Sequence, residues 1–167
     1  MLGAASVAPY ALLKPARANP STKIMAIAAR DICRAEMFAV KHGITRVHRS
    51  YQDLVGDPEI DAVYNPLPTG LHGRWTLAAI KAGKHVLCEK PFTANAAEAG
   101  VVAAAAAASG LVVAEAFHSV DHPMWQRIED IVFSGQLGEV RRIDAAFSFP
   151  LPFINNFRRD YHLGGAP

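Results

Sequence analysis

The sequence is short of the features that mark several common classes of protein. It contains two cysteines, Cys33 and Cys88, which are too far apart for a CxxC motif or a Cys/His zinc spacing. Charged residues make up 19% of the chain and the net charge is only +2, so no basic stripe is present to attract nucleic acid or acidic lipid. We therefore expect two buried free thiols in a reducing compartment, and no nucleic-acid partner.

Long apolar runs are also missing. No window reaches the roughly 18 apolar residues that a membrane-spanning helix needs, and residues 1–10 lack the basic start and apolar core of a signal peptide. The alanine-rich stretch from Val101 to Ala108 is too short to span a bilayer, and Ser109-Gly110 directly after it is typical of a helix end. These observations predict a cytoplasmic protein with no membrane partner.

Short β-branched runs alternate with helical segments over most of the chain, which is typical of right-handed βαβ units. Predicted strands are residues 24–29, 45–48, 61–64, 84–88 and 111–115. Predicted helices are residues 32–42, 51–55, 71–82 with Thr69 as N-cap, and the alanine-rich stretch. Trp75 falls on the apolar face of the third helix and is predicted to pack against the sheet. The predicted fold class is α/β, with a doubly wound parallel sheet.

The pattern changes after Phe117. Residues 124–133 predict an amphipathic helix that is ended by Gly135 and Gly138. Residues 139–149 alternate, which predicts a strand of an antiparallel sheet with one solvated face. Its apolar side would carry Ile143, Ala145, Phe147 and Phe149, and its polar side Arg142, Asp144 and Ser148. With 167 residues, we expect one domain at 1–118 and the start of a second at 119–167.

Residues 3–8, Gly-Ala-Ala-Ser-Val-Ala, are a small-residue variant of the GxGxxG motif. Small residues there let backbone N–H groups approach a pyrophosphate and let the next helix pack on its strand. The motif alone is weak, because any Gly/Ala-rich turn before a helix has the same composition. It makes this turn a candidate phosphate site.

Arg30 stands at the end of the strand predicted at 24–29, where proteins that bind a 2′-hydroxyl usually carry Asp or Glu. An arginine can pair with a 2′-phosphate and stack on adenine, so this position favours NADP. The alternative is a solvated arginine paired with Asp31 or Glu36.

Lys90 lies in the run Cys-Glu-Lys-Pro-Phe at 88–92, at the carboxyl end of a predicted strand, where ligands of open α/β sheets collect. Pro91 biases Lys90 away from helical geometry and so keeps its ammonium at the sheet edge. A lysine fixed in a cleft can donate to a carbonyl or hydroxyl oxygen during hydride transfer. Most lysines are solvated surface charges, so the hypothesis that Lys90 is catalytic depends on this placement.

Three runs together resemble the Gfo/Idh/MocA family of oxidoreductases. They are Asp-Ala-Val-Tyr-Asn-Pro-Leu-Pro-Thr-Gly-Leu-His at 61–72, Ala-Gly-Lys-His-Val-Leu-Cys-Glu-Lys-Pro at 82–91, and Glu-Ala-Phe-His at 115–118 with His-Pro at 122–123. The resemblance implies a Rossmann domain followed by an α+β domain with an open-faced antiparallel sheet, which supplies much of the substrate pocket. It also implies NAD(P)-dependent oxidation or reduction of sugars, inositols, trans-dihydrodiols and similar polyols.

The same resemblance implies where a cofactor would bind. Gly3, Ala5, Ser6 and Val7 would lie at the cofactor phosphates, Arg30 at the adenosine end, Asn65, Pro66 and His72 along the cofactor cleft, and Glu89 and Lys90 near the nicotinamide. The run Ala-Ala-Arg-Asp at 28–31 resembles NADP-preferring members such as dihydrodiol dehydrogenases and glucose–fructose oxidoreductases. NADP is therefore the expected cofactor, with NAD as the alternative.

The sequence departs from the family pattern in three places. Only two residues precede Gly3, so we expect a truncated first strand and a fold of marginal stability. Ser-Val-Asp at 119–121 replaces aromatic and arginine residues, which leaves the substrate preference open. The family would continue after residues 164–167 into a helix with an acidic residue and a histidine. We therefore expect an N-terminal fragment that lacks the proton-transfer partner of Lys90.

Two hypotheses about function follow. In the first, the chain belongs to an NADP-dependent oxidoreductase with a sugar- or polyol-like substrate, which forms a homo-oligomer when full length and so covers the apolar face of residues 143–149. In the second, it is a catalytically silent dinucleotide-binding module. No metal is expected, because Pro123 interrupts the i, i+4 spacing of His118 and His122 and no third ligand is near. These two histidines are interpreted as hydrogen-bonded cleft residues.

Overall fold

The computed structural model describes residues 1–148 and 160–164, in which short strands alternate with helices. The strands are Ala26–Ala28 (β1), Arg46–His48 (β2), Ala62–Asn65 (β3), His85–Cys88 (β4) and Val113–Glu115 (β5). The helices are Lys14–Ala18 (α1), Ile32–His42 (α2), Tyr51–Gly56 (α3), His72–Lys81 (α4), Ala96–Ser109 (α5), Pro123–Phe133 (α6) and Tyr161–Gly164 (α7). No helix among the described residues is long and apolar enough to cross a membrane.

The described residues form two compact units, 1–116 with 160–164 and 117–148. In the first unit all strand pairs are parallel: β1 pairs with β2, and β4 lies between β3 and β5. Leu2 joins the two groups, because it forms a parallel bridge with Ala28 and its N–H donates to the Tyr64 carbonyl over 3.0 Å. The resulting order is β2, β1, residues 1–2, β3, β4, β5. This is the order of a doubly wound Rossmann sheet, and it confirms the predicted α/β class.

Apolar side chains are buried on both faces of this sheet. Successive residues of a strand point to opposite faces, so Ala26 and Ala28 belong to one apolar cluster and Ile27 to the other. The first cluster also contains Leu54, Val55, Val63, Trp75, Ala79, Val86 and Val102. The second also contains Leu13, Ala35, Ala39 and Tyr64. Helices therefore cover both faces, and the prediction that Trp75 packs against the sheet is confirmed.

Helix ends follow from local side chains. Asp31 accepts hydrogen bonds from the N–H groups of Cys33 and Arg34 and so begins α2, which ends at Gly43 in the left-handed conformation. Asn95 accepts from the Glu98 N–H over 2.9 Å at the start of α5. Helix α5 therefore begins at Ala96, five residues before the predicted alanine-rich stretch, and ends at Ser109 before left-handed Gly110, as predicted.

The prediction that Thr69 is the N-cap of the third predicted helix is wrong. Thr69–Leu71 form a 3-10 turn, and α4 begins at His72 with no side-chain hydrogen bond at its cap. The turn is closed by backbone instead, because the Leu71 N–H donates to the Pro68 carbonyl over 2.8 Å. A backbone hydrogen bond of the 3-10 turn therefore precedes the helix in place of a side-chain cap.

The prediction of two buried thiols is wrong for Cys33 and confirmed for Cys88. Cys33 lies in the first turn of α2, on the side that faces away from the sheet, and its thiol is exposed. Cys88 ends β4 inside the first apolar cluster.

The second unit, residues 117–148, contains α6, whose first residue is Pro123. The strand predicted at 139–149 is wrong for residues 139–148, which are exposed and form no strand, while Phe149 lies outside the described residues. A strand forms only where a neighbouring strand accepts its backbone hydrogen bonds, and the described residues supply none here. Arg142 and Asp144 form an exposed ion pair in this segment.

Candidate functional site

The carboxyl ends of the parallel strands bring most of the predicted site residues to one edge of the sheet. Asn65 is the last residue of β3, and Glu89 and Lys90 directly follow β4. The Glu89 N–H donates to the Asn65 carbonyl over 3.0 Å, which joins these two strand ends. Gly3 follows the bridge at Leu2, and Pro66 is buried next to Asn65. In doubly wound sheets this edge is where ligands bind.

Gly3 adopts a backbone conformation that other residues avoid. Its φ is 73°, and its N–H donates to the Ala28 carbonyl over 2.6 Å. A Cβ at this position would lie 3.0 Å from Cδ2 of Leu67, closer than ordinary contact. Ala8, at the third small position of the motif, is fully buried, as close packing of the following turn on the sheet requires. The chain therefore bends tightly at the edge that carries the site.

Three consecutive backbone donors in the middle of this turn have no acceptor in the part of the chain that the structure describes. Among the described residues, the N–H groups of Ala5, Ser6 and Val7 donate to no acceptor, and Ser6 and Val7 are exposed. The π-helical turn Pro9–Leu13 follows directly. Consecutive free N–H groups next to the start of a helical segment form the kind of site that binds phosphate.

Arg30 is exposed at the end of the loop after β1. The ion pairs with Asp31 or Glu36 that were considered for it are absent from the part of the chain that the structure describes, and Asp31 caps α2 instead. Burial raises the pKa of nearby Tyr51, while a backbone hydrogen bond from Arg30 and the charges of Arg30 and Arg34 oppose the rise. The Arg34 guanidinium donates to the Ala4 carbonyl over 3.3 Å. Two cations therefore lie beside the glycine turn.

Asn65 is fully buried and leaves one polar atom without a partner. Its Nδ2 donates to the His72 carbonyl over 3.1 Å and to Oγ1 of Thr76 over 3.2 Å. Its Oδ1 has no hydrogen-bond partner within residues 1–148 and 160–164. A buried acceptor without a donor is costly, so the arrangement fits a ligand that supplies the donor.

Glu89 is held by a tyrosine that the sequence pattern does not point to. The Tyr64 hydroxyl donates to Oε1 of Glu89 over 2.7 Å, and the Lys90 N–H donates to Oε2 over 3.3 Å. Burial raises the pKa of Tyr64, and the hydrogen bond to the Glu89 carboxylate adds to the rise. Tyr64 therefore stays a protonated donor, and Glu89 has one fixed orientation.

The segment after Lys90 is fixed by β4 and β5. Oε1 of Glu115 accepts from the Phe92 N–H over 2.8 Å, and the Cys88 thiol donates to the Phe92 carbonyl over 3.6 Å. Burial raises the pKa of Cys88 to about 12, a hydrogen bond from Thr76 opposes the rise, and Glu115, Glu89 and Glu98 add to it. The thiol is therefore no nucleophile at neutral pH.

Lys90 is exposed, and its ammonium forms no ion pair or hydrogen bond within the described residues. His72, by contrast, is buried, and both of its ring nitrogens contact backbone carbonyls. His122 has a structural role, because its Nδ1 accepts from the Met124 N–H at the start of α6. Lys90 is thus the one predicted catalytic group, and it is available to a ligand.

Sequence reasoning missed four residues of this site: Arg34, Tyr64, Thr76 and Glu115. Tyr64 has the pattern of an apolar strand residue, and only strand pairing brings it to Glu89, 25 positions away. Glu115 did carry a signal, since it is a charged residue at the end of a predicted strand and therefore at the ligand edge.

Several known enzymes are similar to this chain over most of its length. D-xylose 1-dehydrogenase (NADP(+)) 2 of Haloferax volcanii is 40% identical over 166 residues, 99% of this chain and 50% of that protein. Trans-1,2-dihydrobenzene-1,2-diol dehydrogenase of Mus musculus is 36% identical over 132 residues, 79% of this chain and 40% of that protein. The crystal structure of KijD10, a 3-ketoreductase from Actinomadura kijaniata in complex with NADP and TDP-benzene, superposes with a TM-score of 0.90 at 35% identity, over 98% of this chain and 50% of that one.

The chain spans about half the length of the relatives it matches. A family model described as "Oxidoreductase family, NAD-binding Rossmann fold" matches residues 1–117, a range that ends two residues after β5. The match thus covers the sheet and the whole of the edge described above. The chain belongs to the Gfo/Idh/MocA family of oxidoreductases.

Proposed function

We propose that this chain forms the nucleotide-binding part of an NADP-dependent oxidoreductase that acts on a sugar- or polyol-like small molecule. The observation that carries the proposal is the state of Lys90, an exposed ammonium without a protein partner in the described residues, on a segment held by Glu115 and Cys88. The names of two relatives support the cofactor and substrate class, since one is a D-xylose dehydrogenase for NADP and the other a ketoreductase solved with NADP.

The residues at the edge fit a dinucleotide. The free N–H groups of Ala5, Ser6 and Val7, in the turn that begins at Gly3, would hold its pyrophosphate, and Arg30 would pair with a 2′-phosphate. The unpartnered Oδ1 of Asn65 would accept from a donor on the cofactor. In this proposal Pro66 lies along the cofactor cleft and Glu89 lies near the nicotinamide. When bound, the nicotinamide supplies or accepts the hydride.

Lys90 would act on the oxygen of the substrate. Its ammonium donates a hydrogen bond to the carbonyl oxygen and stabilises the negative charge that develops there as hydride reaches the carbon. In the oxidation direction, the same amine accepts the hydroxyl proton while hydride leaves the carbon. The carboxylate of Glu89, one residue away in sequence, is oriented by the Tyr64 hydroxyl.

Replacing Lys90 in the complete protein tests the proposal. We expect Lys90→Ala to lower turnover roughly 10²–10⁴-fold, because a positioned proton donor is lost. NADPH affinity, measured by isothermal titration, should stay close to that of the unaltered protein. The control is Lys81→Ala, which removes an exposed lysine at the far end of α4. Unchanged turnover in Lys90→Ala would contradict the assigned role.

A panel of aldoses, polyols and keto sugars separates this function from the alternative. Turnover of any of them with NADPH or NADP supports an oxidoreductase. Tight binding of NADPH by the unaltered protein with no turnover on the panel would instead indicate a silent dinucleotide-binding module.

The proposal includes a cytoplasmic location and a homo-oligomeric complete protein. An exposed free thiol at Cys33 suits a reducing compartment. Helix α6 exposes Met124, Ile128 and Phe133, which a second copy would cover. Light scattering after size-exclusion chromatography should give a mass above that of one chain.

A further inference from the structure

His72 lies between two loops that carry parts of the site. It is the first residue of α4 and only 1% of its surface is exposed. Its Nδ1 is 2.7 Å from the carbonyl oxygen of Pro91, and its Nε2 is 2.6 Å from the carbonyl oxygen of Leu67. Both distances are those of short hydrogen bonds, and both partner atoms can only accept.

A neutral imidazole cannot form both bonds. It has one N–H and one unprotonated nitrogen, so in either tautomer a nitrogen lone pair would face a carbonyl oxygen. Only the protonated ring donates from both nitrogens. We propose that His72 is a positioning residue, whose doubly protonated ring ties the loop after β3 to the loop after β4 and thereby fixes Lys90.

The surroundings supply negative charge for a buried cation, which would otherwise be costly. Glu89 follows β4, Glu115 ends β5, and the carboxylate of Glu98 on α5 lies where a side chain on Gly73 would be. All three carboxylates raise the pKa of Cys88, whose main cause is burial, and so they act on the same region of the first unit.

Three features of the surroundings oppose a positive charge on His72. The start of α4 carries the positive end of the helix dipole, and this effect is confined to the first turn. Arg74, the other cation on this helix, is exposed and lies over the ring of Trp75, with its guanidinium carbon 5.2 Å from the ring centroid. Lys90 is exposed to solvent. The two carbonyl acceptors contact the ring directly, whereas the side chains of Arg74 and Lys90 are exposed.

The bonds of His72 reach both loops that carry functional atoms. Leu67 stands two residues after Asn65, and Pro91 directly follows Lys90. Loss of either ring bond would free one loop from the other. The effect on Lys90 rests on the proposed function, whereas the protonation state of the ring does not.

The ring itself provides the first test. In the complete protein labelled with 15N-histidine at neutral pH, we expect both ring nitrogens of His72 to show the chemical shifts of protonated nitrogen. The His72→Gln variant identifies the signal by its absence. One protonated and one unprotonated nitrogen would overturn the inference. The matched exchange His85→Gln should remove a different ring signal and leave that of His72 in place.

Turnover provides the second test. We expect His72→Gln to lower kcat roughly 10–100-fold through misplacement of Lys90, with the dissociation constant of NADPH unchanged. The control is His85→Gln, since His85 accepts from the Val112 N–H at the opposite end of β4 and should leave kcat unchanged. An unaltered kcat in a folded His72→Gln protein would overturn the positioning role.

The two proposals fail in different ways. If Lys90→Ala leaves turnover unchanged, the proposed role of Lys90 fails whatever the ring of His72 shows. If Lys90→Ala abolishes turnover and the His72 ring is neutral, only the inference about His72 fails.

Discussion

The edge of the sheet where the strands begin and the edge where they end carry polar groups in different states. At the first edge, before β3, the carboxylate of Asp57 accepts from the guanidinium of Arg46 and from the Glu59 N–H. Lys84, buried before β4, donates to the Asp57 carbonyl over 2.9 Å. Each of these groups is satisfied by another group of the same chain.

At the second edge, groups of the same kinds lack such partners. The N–H of Ser6, Oδ1 of Asn65 and the ammonium of Lys90 have none among the described residues. Most buried polar groups in proteins are hydrogen-bonded, so the unpartnered Oδ1 of buried Asn65 is unusual, while Ser6 and Lys90 are exposed. In the proposed function, the first edge serves stability and the second edge binds the cofactor. Substitutions at the second edge should therefore change binding more than folding.

Among the substitutions that test the difference between the two edges, Arg30→Asp should have the largest effect, which is on the relative affinity for NADPH and NADH. Arg30→Asp removes a cation without an ion pair in the described residues and should weaken NADPH binding by about 1.5–3 kcal/mol, more than tenfold, relative to NADH. Lys41→Asp, which makes the same charge change at the other end of α2, should leave the ratio unchanged. Isothermal titration of both cofactors measures it. Equal affinity for NADPH and NADH in the unaltered protein would contradict the assignment of Arg30.

A smaller effect is expected for Gly3→Ala, because this residue affects both the backbone conformation of the turn and the proposed binding of NADPH. Gly3→Ala places a side chain at a φ of 73° and 3.0 Å from Leu67. We expect a loss of roughly 1–2 kcal/mol of folding free energy, together with weaker NADPH binding. Gly100→Ala, in open space inside α5, should be neutral or stabilising. Urea unfolding with and without NADPH separates the two effects. Equal stability of Gly3→Ala and the unaltered protein would show that the turn is not strained.

Local sequence predicted those parts of the fold that local physics decides. Alternation of apolar runs located all five strands, and Gly43 and Gly110 end their helices in the left-handed conformation that glycine favours. The strand predicted at 139–149 was wrong over its described part because a strand depends on a partner that no local pattern reports.

The sequence predicted where in the fold the site residues lie, but it did not predict which groups they contact. The end of the strand predicted at 84–88 pointed to Lys90, and the family resemblance pointed to Asn65 and Glu89. The bond from Tyr64 to Glu89 and the two carbonyl partners of His72 join residues far apart in sequence. Such pairs arise from packing, and the sequence pattern contains no signal for them.

The smallest effect is expected at the first edge, where Asp57→Asn should change how the free energy of unfolding depends on pH. A hydrogen bond from the Glu59 N–H and the guanidinium of Arg46 hold the pKa of Asp57 below its usual range. Because the folded-state value lies below the unfolded value of about 4, ionised Asp57 adds stability at higher pH, and this contribution is lost as pH falls through the folded-state value. The stability gap between the unaltered protein and Asp57→Asn should therefore be widest near neutral pH and shrink below about pH 4. Urea unfolding across this range measures the gap, and the same exchange at an exposed position, Asp61→Asn, is the matched control. A gap that stays constant with pH would mean that Asp57 is not stabilised in its ionised form, and the contrast between the two edges would lose its energetic basis.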